Sequence, residues 1–216
     1  MDQTLDLHIL IATHNQGKVR EIQEMLRGLQ VSLRTLDDFA NITSVEEVGR
    51  TYKENASLKA LGYARQTGLF ALADDSGLEV EALGGMPGLF SARFGGELIS
   101  DRERIQKLLV ALSDYSSSKR AAKFVCSMAL AGWSPQESQS PGPRLLNITE
   151  ATCDGFIASR MHGDKGFGFD PVFVPLGSQQ TFAELPSEIK SKISHRAKAL
   201  TQMRVFLEDL LGTGPV

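Results

Sequence analysis

The sequence opens with a short apolar run, a polar turn and an amphipathic helical pattern, and this order limits the folds available to it. Residues 7–13 (LHILIAT) form the apolar, β-type run, and residues 14–17 (HNQG) form the turn. In residues 18–29, apolar side chains recur every three or four positions, which places one face of a helix on a sheet. A strand, a turn and a packed helix in this order are typical of α/β proteins.

The rest of the chain continues this alternation of strand-like and helix-like segments. The pattern predicts strands at 31–36, 69–73, 123–131 and 145–157, an apolar run at 169–174, a helix-permissive segment at 44–67, and helices at 101–113 and 194–211. In the segment 44–67, alanines recur at four-residue spacing, at Ala56, Ala60 and Ala64. The helix at 101–113 has an apolar face that consists of Ile105, Leu108, Leu109 and Leu112. Residues 133–144, rich in Pro, Ser and Gln, predict an exposed hairpin tip. We therefore expect a mixed α/β fold, as one domain or as two lobes that share one sheet.

The net charge and the hydropathy pattern restrict the kinds of molecule that the protein can bind. The 216 residues carry a net charge of −3, which argues against direct nucleic-acid binding through phosphate neutralisation. No apolar run approaches the roughly 20 residues that span a bilayer, and the N-terminus lacks a secretory pattern, so we expect a cytoplasmic protein without membrane binding. Cys126 and Cys153 lie in apolar, strand-like runs, which favours buried free thiols over a disulfide or a metal site.

The first candidate binding element is the turn that contains Thr13, His14, Asn15, Gln16, Gly17 and Lys18. Backbone N–H groups at a helix start, the helix dipole and a lysine together suit a phosphate. The turn is not a P-loop, because that motif needs glycine where Ala12 stands and Ser or Thr where Val19 stands. The same residues also fit a capped helix with a solvated lysine.

The second element is Asp74-Asp75-Ser76-Gly77, which follows an apolar strand. One of two adjacent carboxylates can hold Mg²⁺ or activate a water while the other makes structural hydrogen bonds. An Asx-turn with Gly77 at positive φ is the alternative. Glu46 and Glu47 are further candidate metal ligands, although paired glutamates are also typical of a solvated helix start.

Two more elements follow near the C-terminus. In residues 165–171 (KGFGFDP), glycines flank two aromatic residues. This pattern suits a ring that stacks on a heterocyclic base, with Asp170 forming hydrogen bonds to the edge of the base. The alternative is an ordinary aromatic turn before a strand. Residues 190–196 (KSKISHR) form a basic cluster that could bind phosphates or the carbonyl oxygen of a base. The alternative is a solvated helix start. Arg93 and Lys59 add weaker anion contacts. In combination, the four elements predict a nucleotide hydrolase.

Five ordered blocks of the sequence resemble the inosine triphosphate pyrophosphatases, also called the Ham1 or RdgB-like family, over nearly the whole chain. The blocks are IATHNQGK, EEVGRTYKENASLKA, ALADDSGLEVEALGGMPGLFSARFGG, KGFGFDPVF and KSKISHRAKAL. The bacterial branch is the more similar one. Small departures are His14 and Ala197 where the family commonly has glycine, and Phe169 where it commonly has tyrosine; none removes a proposed catalytic group.

The resemblance implies a fold, an activity and a set of site residues. The fold is a long central mixed β-sheet flanked by helices, with two lobes, a nucleotide cleft between them and a homodimer. The activity is Mg²⁺-dependent hydrolysis of ITP, dITP and XTP to the monophosphate and pyrophosphate. Asp75 is the implied general base and metal ligand, with Glu47 as second ligand. The implied substrate contacts are Thr13, His14, Asn15, Gln16, Gly17, Lys18, Lys59, Ser76, Phe167, Gly168, Phe169, Asp170, Lys190, His195 and Arg196.

Two other functions remain open at this stage. A related pyrophosphatase could use the same phosphate site on modified pyrimidines or other damaged bases. A nucleotide sensor could bind without turnover, although a pure polyanion binder gains nothing from the paired aspartates unless a metal is present.

Overall fold

The computed structural model describes residues 7–133 and 142–213, in which eleven helices and strands form an α/β fold. The strands are Leu7–Ile11 (β1), Val31–Thr35 (β2), Phe70–Val80 (β3), Ala121–Gly132 (β4), Arg144–Ile157 (β5) and Phe173–Pro175 (β6). The α-helices are Gln16–Met25 (α1), Tyr52–Thr67 (α2), Asp101–Ala111 (α3), Ser187–Ile193 (α4) and His195–Leu210 (α5). Most of the hairpin tip predicted at 133–144 lies outside the described residues.

The strands form one mixed sheet in the order β2-β1-β3-β4-β5-β6. Strand β1 runs parallel to both of its neighbours, with Ile9 opposite Leu33 of β2 and Phe70 of β3. Strand β6 pairs with β5 in the antiparallel sense. The mixed sheet with accompanying helices confirms the predicted fold class.

The chain divides into two compact units. The first contains Met1–Asp75, Ser127–Glu150 and Ala199–Val216. In its core, the fully buried Ala56, Ala60 and Ala64 of α2 pack with sheet residues such as Leu10. The four-residue spacing of these alanines places them on one helix face, as the sequence predicts.

The second unit contains Ser76–Cys126 and Ala151–Lys198. Its core combines the apolar face of α3, on which Ile105 and Leu108 are buried, and Leu112 immediately after the helix with a group of phenylalanines. The rings of Phe173 and Phe182 lie 5.1 Å apart in this core. The predicted apolar face of α3 is therefore correct.

Two predicted boundaries are wrong and one short helix was not predicted, and these differences affect the site. Strand β3 continues to Val80, so the two aspartates lie inside a strand, and Gly77 is not a positive-φ residue, which excludes the Asx-turn. Helix α2 starts only at Tyr52, because Thr51 Oγ1 accepts the N–H of Glu54 and caps the helix there. The predicted terminal helix at 194–211 is preceded by a separate short helix, α4.

Ser194 separates α4 from α5. Its backbone is extended, with φ −67° and ψ 155°, which ends α4. Its Oγ accepts the N–H of Ala197 at 3.1 Å and so caps α5. The predicted basic cluster is consequently split, with Lys190 on α4 and both His195 and Arg196 at the start of α5.

Two further expectations concern cysteines and membranes. Cys126 and Cys153 are both buried and do not form a disulfide, as predicted. Among the helices described, none has the length and apolar character needed to cross a bilayer.

Candidate active site

The turn before α1 is organised by Asn15. Asn15 Oδ1 accepts the backbone N–H groups of Gly17 at 2.9 Å and Lys18 at 3.2 Å. Thr13 Oγ1 in turn accepts the N–H of Asn15 at 3.2 Å. The helix is therefore capped, and the positive end of its dipole points to this turn, which favours an anion there.

Lys18 is not the solvated lysine of the capped-helix alternative. Its Nζ lies 2.9 Å from Oδ2 of Asp74, whose side chain is fully buried in β3. A buried carboxylate requires a nearby positive charge. The ion pair therefore fixes the Lys18 ammonium group at the start of α1.

Asp75, the next residue of β3, contacts different partners. Its Oδ2 accepts Nδ2 of Asn55 at 3.0 Å, and its Oδ1 lies 3.9 Å from Lys59 Nζ. The Lys59 ammonium also donates to Glu47 Oε1 at 2.8 Å. Because Asn55 and Lys59 are four residues apart on α2, one helix face presents both side chains to Asp75.

Burial and charge shift two pKa values in this cluster. Burial raises the pKa of the Asp75 carboxyl, although Lys59, Lys18 and the Asn55 amide act in the opposite direction. Burial also lowers the pKa of the Lys59 ammonium, but the neighbouring carboxylates outweigh this effect, so that its pKa is raised overall. Lys59 therefore stays charged at neutral pH, and Asp75 is a stronger base than an exposed aspartate.

Glu47 and Asp75 have the donor chemistry of a pair of metal ligands. Within residues 7–133 and 142–213, no group of three or more His, Cys, Asp and Glu side chains could hold a metal ion. However, Glu47 and Asp75 both lie near one cation, the Lys59 ammonium. Mg²⁺ commonly takes only one or two protein carboxylates and completes its shell with water and phosphate oxygens, so this donor set fits it.

The exposed loop before α2 is fixed against that helix, and this determines where Glu47 lies. The N–H of Gly49 donates to Asn55 Oδ1 at 2.8 Å. A side chain at Gly62 would meet Val45 at 2.6 Å, so glycine allows the loop to approach α2 closely. The Glu47 carboxylate thus reaches the Lys59 ammonium.

In the second unit, the aromatic turn presents Phe167 between two glycines. Gly166 has φ +75° and Gly168 has φ +60°, conformations that favour glycine. The buried Asp170 closes the turn, since its Oδ2 accepts the N–H of Phe167 at 2.9 Å. Phe169 is 4% exposed and belongs to the core below the turn.

Two cations accompany the Phe167 ring. Lys190 Nζ lies 5.1 Å from the ring centroid, and Arg196 Cζ lies 5.5 Å from it. Lys190 is also paired with Asp170 Oδ2 at 2.5 Å. Arg196 donates to Ser76 Oγ at 2.9 Å. The structure therefore links four predicted site residues, Asp170, Lys190, Arg196 and Ser76, to Phe167 through direct contacts or through a shared partner.

His195 is buried beside this group. Its ring stacks on Phe124 with centroids 4.5 Å apart and an interplanar angle of 9°. Phe124 belongs to β4, and its ring also contacts Phe173 at 4.6 Å. The imidazole orientation is thus set by the aromatic core.

Three residues that were predicted to contact an anion or the substrate have partners outside the two clusters. Gln16 Nε2 donates to Asp37 Oδ2 at 2.9 Å, and the ring of His14 meets Tyr63 edge to face. The guanidinium of Arg93 lies over Phe90, 4.9 Å from the ring centroid. None of these contacts joins the residues to the clusters around Asp75 or Phe167.

Three residues that support the site were not predicted from the sequence: Asn55, Phe124 and Asp101. Asn55 could have been found, because a polar residue one helical turn before Lys59 shares its face. Phe124 and Asp101 act through contacts with residues 71 and 67 positions away, at His195 and Gly168. Such long-range partners leave no local signal in a single sequence.

Comparison with known proteins gives a consistent result. The sequence model of the Ham1 family matches residues 9–206. A dITP/XTP pyrophosphatase of Geobacillus kaustophilus is 45% identical over 94% of this chain and 96% of its own length. One of Bacillus anthracis is 42% identical over 90% of this chain and 93% of its own.

Solved structures of Ham1 proteins are similar to this chain in fold and in sequence. A HAM1 protein from Coxiella burnetii has a TM-score of 0.81 and 42% identity, covering 94% of this chain and 99% of that one. The Staphylococcus aureus Ham1 protein has a TM-score of 0.78 and 36% identity, covering 94% of this chain and 99% of that one.

Proposed function

The chain belongs to the Ham1 family, and we propose that it hydrolyses the deaminated purine nucleoside triphosphates dITP, ITP and XTP to the monophosphate and pyrophosphate. This activity would remove such nucleotides before polymerases incorporate them. The observation that carries the proposal is the cluster of two lysines and three carboxylates around Asp75, since it supplies phosphate-binding cations, a base and metal ligands together.

The charge of this cluster supports a metal-dependent enzyme. When ionised, Glu47, Asp74 and Asp75 carry one more unit of charge than Lys18 and Lys59 neutralise. A triphosphate is itself strongly anionic, so the cluster needs an additional cation to accept it. We assign Mg²⁺ to Glu47 and Asp75; when bound, it would neutralise charge on the phosphate oxygens.

Four side chains of the cluster have separate roles in the proposed reaction. Lys18 and Lys59 would bind phosphate oxygens, together with the start of α1. Asp75 would accept a proton from a water whose oxygen bonds to phosphorus at the α–β phosphoanhydride, and the bridging oxygen would leave with pyrophosphate. Asn55 would hold the Asp75 carboxylate in one orientation through its hydrogen bond to Oδ2.

The residues around Phe167 suit the base. Lys190 is neutralised by Asp170, so this pair suits an uncharged heterocycle better than a phosphate. Arg196 and His195 can donate hydrogen bonds to the 6-oxo group of hypoxanthine or xanthine. Adenine has an amino donor at that position, so a buried donor of the protein would be left without an acceptor. This loss strongly disfavours the binding of adenine.

Two rival functions have clear signatures. A pyrophosphatase for damaged pyrimidines would release pyrophosphate mainly from pyrimidine triphosphates. A nucleotide sensor would bind ITP in equilibrium measurements without releasing pyrophosphate. Pyrophosphate release from ITP by the wild-type protein, and its loss in an Asp75→Asn variant, tests the proposed function against both.

Assembly and location are further parts of the proposal. We propose a homodimer, as the family resemblance implies, and light scattering during size-exclusion chromatography tests it. A cytoplasmic location suits the two buried free cysteines, because disulfides are rare in that reducing compartment. The net charge of −3 supports a small-molecule substrate over direct nucleic-acid binding.

A further inference from the structure

A carboxylate on α3 contacts the aromatic turn directly. Asp101 is the first residue of α3, and its Oδ2 accepts the backbone N–H of Gly168 at 2.7 Å, from 67 positions away in the chain. Its Oδ1 lies 3.1 Å from NH1 of Arg104. One side chain therefore links the helix to the backbone immediately after Phe167.

The turn needs such a link because of its composition. Glycine has more backbone freedom than any other residue, and Phe167 stands between two glycines. The two consecutive N–H groups of Phe167 and Gly168 are held by two different carboxylates, those of Asp170 and Asp101. Fixing both amides restricts the peptide planes on either side of the Phe167 Cα and so restricts the direction of its ring.

The anchor itself is rigid. Arg104 is 6% exposed and also donates to the carbonyl of Gly96 at 3.4 Å. Next to it, Ile105 and Leu108 place α3 in the apolar core of the second unit. The Asp101 carboxylate is thus held by a buried guanidinium on a helix that is packed in the core.

We propose that Asp101 is a positioning residue for the nucleotide base: by holding the N–H of Gly168, it fixes the ring of Phe167 in the orientation that stacks on the purine. This inference rests on the proposed function, because it presumes that the Phe167 turn binds the base. It assigns Asp101 no contact with the substrate.

Asp101→Ala and Asp101→Asn test the proposal, with Glu103→Gln as the matched control. Glu103 lies on the same helical turn, but its carboxylate accepts the N–H and Oγ–H of Ser100, both at 2.8 Å. The control therefore weakens the start of α3 without touching Gly168. Asp101→Asn keeps an acceptor oxygen and avoids leaving Arg104 without a nearby polar group, so it is the variant that preserves folding best.

Three readouts separate positioning from folding: kcat and KM for ITP, the Kd of inosine monophosphate by calorimetry, and amide hydrogen exchange over residues 165–170. Asp101→Ala should raise KM and Kd about tenfold, as loss of a charge-assisted hydrogen bond allows, with kcat within about threefold. Exchange at Gly168 should accelerate. Asp101→Asn should show a smaller rise, and Glu103→Gln should lower thermal stability with KM and Kd unchanged.

Unchanged KM and Kd in folded Asp101 variants overturn the inference alone, provided that the wild type turns over ITP. An equal rise in Glu103→Gln also overturns it, because the effect would then come from the helix start. A wild-type protein that neither releases pyrophosphate from ITP nor binds inosine monophosphate overturns the proposed function, and the inference with it.

Discussion

The side-chain amide of Asn55 donates a hydrogen bond to Oδ2 of Asp75 at 3.0 Å. The same side chain accepts the N–H of Gly49, two residues after Glu47. Asn55 is 3% exposed and therefore links the proposed base to the loop that carries the proposed second metal ligand. We propose that Asn55 acts by orienting these two neighbours.

Asn55→Ala should lower kcat/KM for ITP by roughly 10- to 100-fold, the range typical of groups that orient metal ligands. Steady-state kinetics at saturating Mg²⁺ measure the effect. Ser57→Ala is the control, because Ser57 lies on the same helix and its Oγ donates only locally to the carbonyl of Lys53. Near-normal turnover in Asn55→Ala would contradict the orienting role.

Asp75→Asn should reduce kcat by about 10²- to 10⁴-fold, because an amide cannot accept the proton of the attacking water. Binding of inosine monophosphate in EDTA should persist, since the proposed base contacts lie around Phe167. Single-turnover kinetics and calorimetry measure the two quantities. Asp38→Asn is the control: it removes a carboxylate that contacts Arg34 and the N–H of Thr35 at the surface and should leave kcat unchanged.

The raised pKa of Asp75 predicts a pH-dependent effect on stability in EDTA. Its folded-state pKa lies above the ordinary value of 3.8, so its contribution to stability is fully present below that value. The contribution is lost as the pH rises through the folded-state pKa, because the charge is then buried. The thermal midpoint of Asp75→Asn minus that of the wild type should thus increase between pH 3.8 and neutral pH. A difference that is flat or that decreases contradicts the assigned burial effect.

Phe167→Ala should raise KM for ITP and leave kcat less affected. Stacking of a base on an aromatic side chain contributes about 1–3 kcal/mol, which corresponds to roughly 5- to 100-fold. Phe156→Ala is a suitable control, since Phe156 is 37% exposed in β5 and is not part of the aromatic turn. An unchanged KM in Phe167→Ala would remove the stacking role.

Both cysteines should resist labelling in the native protein. Burial raises the pKa of the Cys153 thiol to about 11, so only about one thiol in a thousand or fewer is ionised at pH 7.5. Cys126 is fully buried. Reaction with a thiol reagent should therefore be slow in buffer and should reach two groups per chain in denaturant. Rapid labelling of the native protein would contradict the burial of these side chains.

The elements with strong periodicity were predictable from sequence. The alanine face of α2 and the apolar face of α3 follow the helical repeat, and both are buried as expected. Strand β3 was predicted too short, because Asp-Asp-Ser-Gly has turn-like composition. In the folded chain, Lys18, Lys59 and Asn55 provide partners for the two carboxylates, so the strand continues through them.

The sequence indicated several residues that the structure brings together in the candidate site, but it did not indicate their pairings or the supporting Asn55, Phe124 and Asp101. The sequence indicated Ser76, Asp170, Lys190 and Arg196, yet the contacts of Arg196 with Ser76 and of Lys190 with Asp170 join residues 120 and 20 positions apart. Such pairings depend on tertiary packing, which a local pattern does not encode. For the same reason, the anchoring of Gly168 by Asp101 emerges only from the structure.

Pyrophosphate release from a panel of nucleoside triphosphates tests the central claim most directly. The panel contains ITP, dITP, XTP, GTP, ATP, dUTP and dTTP, each measured with Mg²⁺ and with EDTA. The proposed function predicts release that requires Mg²⁺ and is largely confined to ITP, dITP and XTP. Turnover mainly of dUTP, dTTP or ATP, or binding of ITP without release of pyrophosphate, would contradict it.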